Sequence, residues 1–215
     1  MEWLQTIRDL SILLAALMAA YGFDSWRREH TGKRRIELAE EALALFYEAR
    51  DAIAQIRNPG GFGDETKDVI RDEGESEERF QARKNASIVF VRYNAHKELF
   101  GRIYALRYRF MAQIGPESAK PFDDLHNVVS QIFVAARMLA RLWPRDHHAS
   151  PEAFAKHNAD IEKYEAVFWA GMADEDKITV MVNTAISNLE TTCRKVIEGE
   201  GTLFGLINKK IKSAS

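Results

Sequence analysis

The sequence predicts an all-α chain, with an N-terminal single transmembrane helix followed by a cytoplasmic antiparallel bundle of about five helices. Three observations predict it. Apolar residues recur at steps of three and four in one segment after another, the signature of amphipathic helices. No segment reads convincingly as a strand, and 12 Gly and 5 Pro among 215 residues leave little room for a many-turned β protein. One uncharged stretch near the N-terminus stands apart from these stripes. With 46% apolar and 29% charged residues, the chain can also fill a core.

Taken in order, residues 1–26 read as the anchor. Leu10 to Phe23 carries no charge and one aliphatic hydroxyl, Ser11. Its wall is Leu10, Leu13, Leu14, Leu17 and Phe23. As a helix this run covers about 21 Å of a ~30 Å hydrocarbon slab. Trp3 and Trp26 bracket it at about 35 Å, where indoles favour the headgroup level. Arg8 and Asp9 fall near one interface and are the weak point; a core helix and an interfacial helix are the alternatives. The flank Arg27, Arg28, Lys33, Arg34 and Arg35, opposed by Glu29 alone, places the N-terminus outside and the remainder in the cytoplasm. The expected location is therefore a bacterial inner membrane, with lipid as one partner.

Residues 27–57 read as a basic juxtamembrane segment and stalk helix, with Ile36, Ala39, Leu43, Phe46 and Ile53 at helical spacing. Asn58-Pro59-Gly60-Gly61 ends it. Residues 58–82 read as an acidic flexible linker, eight carboxylates against three basic residues, without the spacing of a calcium loop. Residues 83–201 hold the bundle. Asn85 to Ile114 reads as one broadly apolar helix. After Gly115-Pro116, Pro121 opens a helix whose Phe122, Leu125, Val129, Ile132, Ala136, Leu139 and Trp143 alternate steps of three and four. That packing seam suits knobs-into-holes contact within a bundle or between subunits. Ser150-Pro151 starts the next helix, with Phe154, His157, Ile161, Tyr164 and Phe168 on its stripe. Ile178, Val182, Ala185, Leu189 and Val196 line the last one, and residues 202–215 form a basic amphipathic tail with Lys209, Lys210 and Lys212.

Charge and motifs exclude more than they select. Lys and Arg total 30 against 32 Asp and Glu, which argues against a globally basic nucleic-acid binder and gives no signal for DNA. The single cysteine, Cys193, excludes an internal disulfide framework or a multi-cysteine metal site. No phosphate-binding loop, dinucleotide fingerprint, nucleophile elbow or zinc-protease motif occurs, so no cofactor and no metal is expected. His147, His148 and His157, with Asp146 and Asp160, form the one His/Asp cluster, in and beside a proline-flanked loop.

One spacing carries chemistry. Arg141 stands six residues before His147 and seven before His148. A guanidinium holds a phosphate by two hydrogen bonds and an imidazole moves protons near neutral pH. The spacing resembles the R-x4–6-H signature of HEPN ribonucleases, which pair arginine and histidine across a dimer to act on RNA. Leu142, where that family usually has a polar residue, and Pro144 depart from the pattern. Arg137 and Arg145 continue the same face toward an RNA strand. In layout, the chain also resembles membrane-anchored HEPN-bearing accessory proteins of RNA-targeting CRISPR systems. The stretch from Leu10 to Arg57, with ALRYRFMA at 105–112, resembles uncharacterised bacterial proteins that join a membrane helix to a cytoplasmic bundle; that likeness implies architecture and no activity. The sequence thus points first to a non-enzymatic homo-oligomer, a scaffold or regulated pore, and second to a tethered ribonuclease or RNA-binding effector using Arg141 with His147 or His148.

Overall fold

Residues 2–61, 65–144 and 150–198 are described by a computed structural model. Among them all regular structure is helical: α1 (Glu2–Ile56), α2 (Glu77–Ala86), α3 (Ile88–Ala95), α4 (Lys97–Gln113), a 3₁₀ turn (Pro116–Ala119), α5 (Lys120–Leu142), α6 (Pro151–Phe168) and α7 (Lys177–Ile197). The chain divides into two compact units, Ala42–Thr192, and Met1–Glu41 with Cys193–Ser215.

In the unit built on the N-terminal part of α1, the membrane reading is overturned. Among the described residues no helix is long and apolar enough to cross a membrane. The uncharged run is fourteen residues, and a window of membrane-spanning length must also take in charged neighbours such as Arg8 and Asp9, or Asp24 and Arg27. The single-pass anchor at residues 1–26, the inner-membrane location and the topology read from Arg27, Arg28, Lys33, Arg34 and Arg35 fall with it. The helix itself is real and continues unbroken, since Gly22 and Gly32 both lie in open helical positions where a side chain would meet nothing. Among the described residues of this unit, Leu38, Ala39 and Cys193 are the buried apolar ones.

The larger unit is organised by α5. Its buried Phe122, Leu125, Val129, Ile132, Ala136 and Leu139 recur at three and four, so one face points inward along the whole helix. Trp143, the last residue of that expected seam, is half-buried and donates its indole N–H to Glu165 Oε1 at 2.8 Å. Helices α6 and α2 make the most extensive contacts with α5, and α3 and α4 also pack on it. The later part of α1 contributes Ala42, Leu45, Phe46, Ala49, Ala52, Ile53 and Ile56, again a 3.5-residue repeat. Phe46 and Phe110 both meet Phe122, with ring centroids 5.0 and 5.1 Å apart, the first edge-on as aromatic quadrupoles prefer. Removing such a buried ring costs about 3–5 kcal/mol.

Two buried arginines finish helix ends that the apolar core cannot. A helix leaves its last four carbonyls without partners. Arg57 donates to three at the end of α6, Val167 O at 2.8 Å and Ala166 O and Trp169 O at 3.0 Å, and to Asp176 Oδ2 at 2.8 Å. Arg92 reaches the end of α1 more weakly, Gln55 O and Ile56 O at 3.4 Å, and holds the turn after it, donating to Asn58 O and Gly60 O at 2.5 and 2.6 Å while Glu65 takes its charge at 2.7 Å.

These contacts reach into the segment 58–82, read from the sequence as an acidic flexible linker. Two of its acids are counter-ions to arginines beyond it. Glu65 neutralises Arg92, Glu75 neutralises Arg83, and α2 already begins at Glu77 behind the cap Ser76. The partners Arg83 and Arg92 lie beyond the segment, so counting charge within it alone left the acids looking unpaired. The single helix expected over Asn85 to Ile114 is broken at Ser87 and His96. The Ser87 hydroxyl donates to Lys84 O at 2.7 Å, and His96 leaves helical geometry at ψ 9°, closing a 3₁₀-type bond from its N–H to Tyr93 O.

Candidate functional surfaces

Two features of the fold exceed what packing requires. The first is the arm of α1. Trp3, Leu10, Leu13, Leu14, Leu17, Met18 and Tyr21 are all exposed, each by 58% or more. At 100° per residue they fall within an arc of about 140°, so they form one face. In the sequence Trp3, Ile7, Leu10, Leu14, Leu17 and Tyr21 alternate steps of four and three, a heptad register. Asp24 and Arg28 occupy the next two seam positions and end the apolar stripe. Trp26 is exposed as well, and its ring stacks on His30 at 5.7 Å. The side chains of Phe23, Arg27 and Arg28 lie outside the described residues, whereas Lys33, Arg34 and Arg35 are exposed, Lys33 lying 4.0 Å from Glu37.

The second is a groove of about 640 Å³ between α2 and α5, in the larger unit. Small residues make it. Ala82 and Ala86 on α2 and Ala135 and Ala136 on α5 are buried, which lets the two helices approach closely. Arginines four apart then line up on each side, Arg79 and Arg83 on α2, Arg137 and Arg141 on α5. Between them Ala86, Phe90, Ala136 and Ala140 form an apolar floor.

Charge in this groove is unevenly satisfied. Arg83 donates from Nε and Nη2 to the two oxygens of Glu75, at 2.9 and 2.6 Å, and also to Ile70 O at 2.8 Å. That fork, assisted by the N–H of Asp72, holds the Glu75 carboxyl down to about 2, and the same fork pushes the Arg83 guanidinium up. Asp72 stands 3.6 Å from Arg83 as a further counter-charge. Arg79, Arg137 and Arg141 are exposed, and among the described residues none has an ion-pair partner. Four guanidiniums therefore face one carboxylate in the lining.

The sequence-derived catalytic candidates are only partly placed. Arg141 lies on the last turn of α5 beside this groove, whereas His147 and His148, with Arg145 and Asp146, lie outside the described residues. The tail residues Lys209, Lys210 and Lys212 lie outside them too. His157 is half-buried on α6 and Cys193 is buried on α7. Among the described residues no group of His, Cys, Asp or Glu could hold a metal ion. Arg79 and Arg83 escaped the sequence reading because Arg79 was absorbed into the acidic linker. The legible signal was the shared i, i+4 arginine spacing at 79/83 and 137/141.

A further depression of about 600 Å³ lies among α3, α4 and α5, walled by Tyr93, Phe100, Tyr104 and Phe133. Its main charge is already spent: Arg107 donates to both oxygens of Asp123 at 2.8 and 3.1 Å. Tyr108 donates to the Tyr104 hydroxyl at 2.8 Å, a bond that raises the Tyr108 phenol.

Comparison of the chain with family models, with curated proteins and with solved structures finds no match.

Proposed function

We propose that this chain is a non-catalytic scaffold that assembles with copies of itself through the arm of α1. The observation that carries the reading is the exposed seam from Trp3 to Tyr21. Single exposed leucines need no explanation, but a contiguous apolar face of this size is a mark of interaction surfaces. Its seven large side chains offer roughly 800 Å² per chain, the order of one side of a standard interface.

A second copy is the occupant that the pattern favours. Knobs-into-holes packing needs a partner with the same alternation of four and three, and another copy of α1 carries it in register over about 27 Å of helix. Leu13 and Met18, which flank the seam, replace the charged residues that usually specify a two-stranded coil, so an assembly of more than two chains fits this face. Scaffold and pore were both expected from a membrane-crossing anchor and the α5 seam; the pore loses its support with the anchor, and the scaffold reading here stands on the exposed face of α1 instead.

Sedimentation velocity on the full chain, with and without Leu10→Asp, Leu14→Asp and Leu17→Asp together, tests the proposal. The parent is expected to sediment as a discrete oligomer and the triple variant as a monomer with unchanged helical circular dichroism. A parent that stays monomeric at 100 μM overturns the reading. So does a parent that remains monomeric but binds phospholipid vesicles through the same leucines.

A further inference from the structure

The geometry points to the groove between α2 and α5 as a binding site for a nucleotide, with phosphates on Arg79, Arg137 and Arg141 and the base over the floor made by Phe90 and its neighbouring alanines. The inference is independent of self-association through α1.

The groove has the chemistry of a phosphate site. Three exposed guanidiniums on two different helices converge on one concavity without an ion-pair partner among the described residues. A protein surface ordinarily intersperses charges of both signs, and the mutual repulsion of clustered arginines is relieved when a polyanion enters. Guanidinium forks suit phosphate oxygens because two parallel N–H groups match their spacing. The fourth arginine is held differently. Glu75 fixes Arg83 with both oxygens, and the Ile70 carbonyl accepts from it too, so Arg83 braces the loop before α2.

Shape and surroundings select a small ligand over a strand. At about 640 Å³ the groove lies within the range of small-molecule sites, and its floor is apolar, which a bare phosphate has no use for. Phe90 is half-buried there, packed against Phe133 with ring centroids 4.9 Å apart, so part of it remains free to meet a planar base. An RNA strand leaving the groove at the start of α2 would pass Asp72, Glu77 and Glu78, all exposed and acidic. Like charges there repel a continuing backbone, whereas a mononucleotide ends before reaching them.

Isothermal titration of the full chain in 150 mM salt, using ATP, pyrophosphate, adenosine and a single-stranded RNA 12-mer as separate probes, tests the site. ATP is expected to bind more tightly than either pyrophosphate or adenosine. Arg137→Gln and Arg141→Gln should each weaken ATP about tenfold, the loss of one charge-assisted contact. Both residues are exposed, so folding is not at stake, and circular dichroism checks it. Glu75→Gln should move affinity the other way, because it removes the negative charge from the lining; a purely structural arginine cluster gives no such gain. Absence of ATP binding at millimolar concentration overturns the proposal, as does ATP affinity unchanged in both arginine variants. Pyrophosphate binding as tightly as ATP reduces the site to a bare anion hole and overturns the nucleotide assignment. RNA binding without ATP binding overturns it in favour of a strand.

Discussion

Helix α5 and the arm of α1 carry the same pattern and meet opposite fates. Both alternate apolar residues at three and four over about twenty residues. In α5 the face is consumed inside the chain: Leu125, Ile132 and Leu139 are at most 1% exposed. In the arm Leu10, Leu14 and Leu17 are 60–68% exposed. Periodicity therefore reports that a helix has a face to bury and is silent on what buries it. The difference lies in the neighbours. α5 follows a tight 3₁₀ turn and is flanked by helices close in sequence, whereas the arm is one part of a 55-residue helix that turns only at Asn58-Pro59-Gly60. The arm runs on without a break into the rest of α1 as far as Ile56, so the residues that follow it cannot fold back on it.

The largest effect tests that contrast directly. Leu139→Ala, in the filled seam, is expected to destabilise the chain by roughly 2–5 kcal/mol, through lost transfer energy and the cavity left behind. Leu14→Ala in the arm should leave monomer stability within about 0.5 kcal/mol of the parent, because its side chain is already largely in water. Urea unfolding at concentrations too low for association checks both. A matched loss at the two sites would mean that the arm's leucines are buried within the monomer, and the contrast between the seams would collapse.

Next in size is the pair that joins buried charge to a helix start. Asp176 accepts from Arg57 through Oδ2, while Oδ1 accepts the N–H groups of Ile178 and Thr179 at the head of α7. Burial pushes the Asp176 carboxyl up, but hydrogen bonds from Arg57 and Thr179 outweigh it and leave the group below its ordinary value. A carboxyl depressed in the folded state lends stability above its unfolded pKa of about 4 and loses it as pH falls through the lower folded value. Asp176→Asn keeps an oxygen for the cap and removes the charge opposite a guanidinium that is 1% exposed. Breaking a buried pair costs about 3–5 kcal/mol; water reaching Asp176 reduces the expected loss to about 2 kcal/mol at pH 7. The parent's stability should then fall toward the variant's below pH 4, and parallel acid-unfolding curves would show that Arg57 is held by its carbonyls alone.

What was legible in the sequence follows the same division. Helical class, the α5 face and the helix starts marked by Ser150 and Pro121 depend on local spacing, which one chain displays in full. The membrane reading failed because fourteen uncharged residues satisfy a local hydropathy pattern without meeting the length that a bilayer imposes. The segment 58–82 hid two pairings and the start of α2 at Glu77, because Arg83 and Arg92 pair backward, by eight residues with Glu75 and by 27 with Glu65. Arg141 was visible as a candidate, yet Arg79 and Arg83, its neighbours across the groove, needed the packing of α2 on α5 to come together. Long-range pairing of charges leaves no period to read.

The smallest effect decides what keeps the groove in shape. Ser76 has extended geometry, at φ −66° and ψ 154°, and its hydroxyl accepts the N–H of Arg79 at 3.3 Å, capping the turn that carries that arginine. Ser76→Ala is expected to cost about 1 kcal/mol, with the loss confined to the first turn of α2. Hydrogen exchange should show the amide of Arg79 opening faster, while the leucines of α5 keep their protection. The arm of α1 has no bearing on this turn, so sedimentation should not change. If the Arg79 amide keeps its protection in the variant, the turn is held by the fork from Arg83 to Glu75 just before it. In that case Glu75→Gln, rather than Ser76→Ala, is the change that loosens the α2 wall, and the gain in anion affinity expected of it must then be measured against that loss of order.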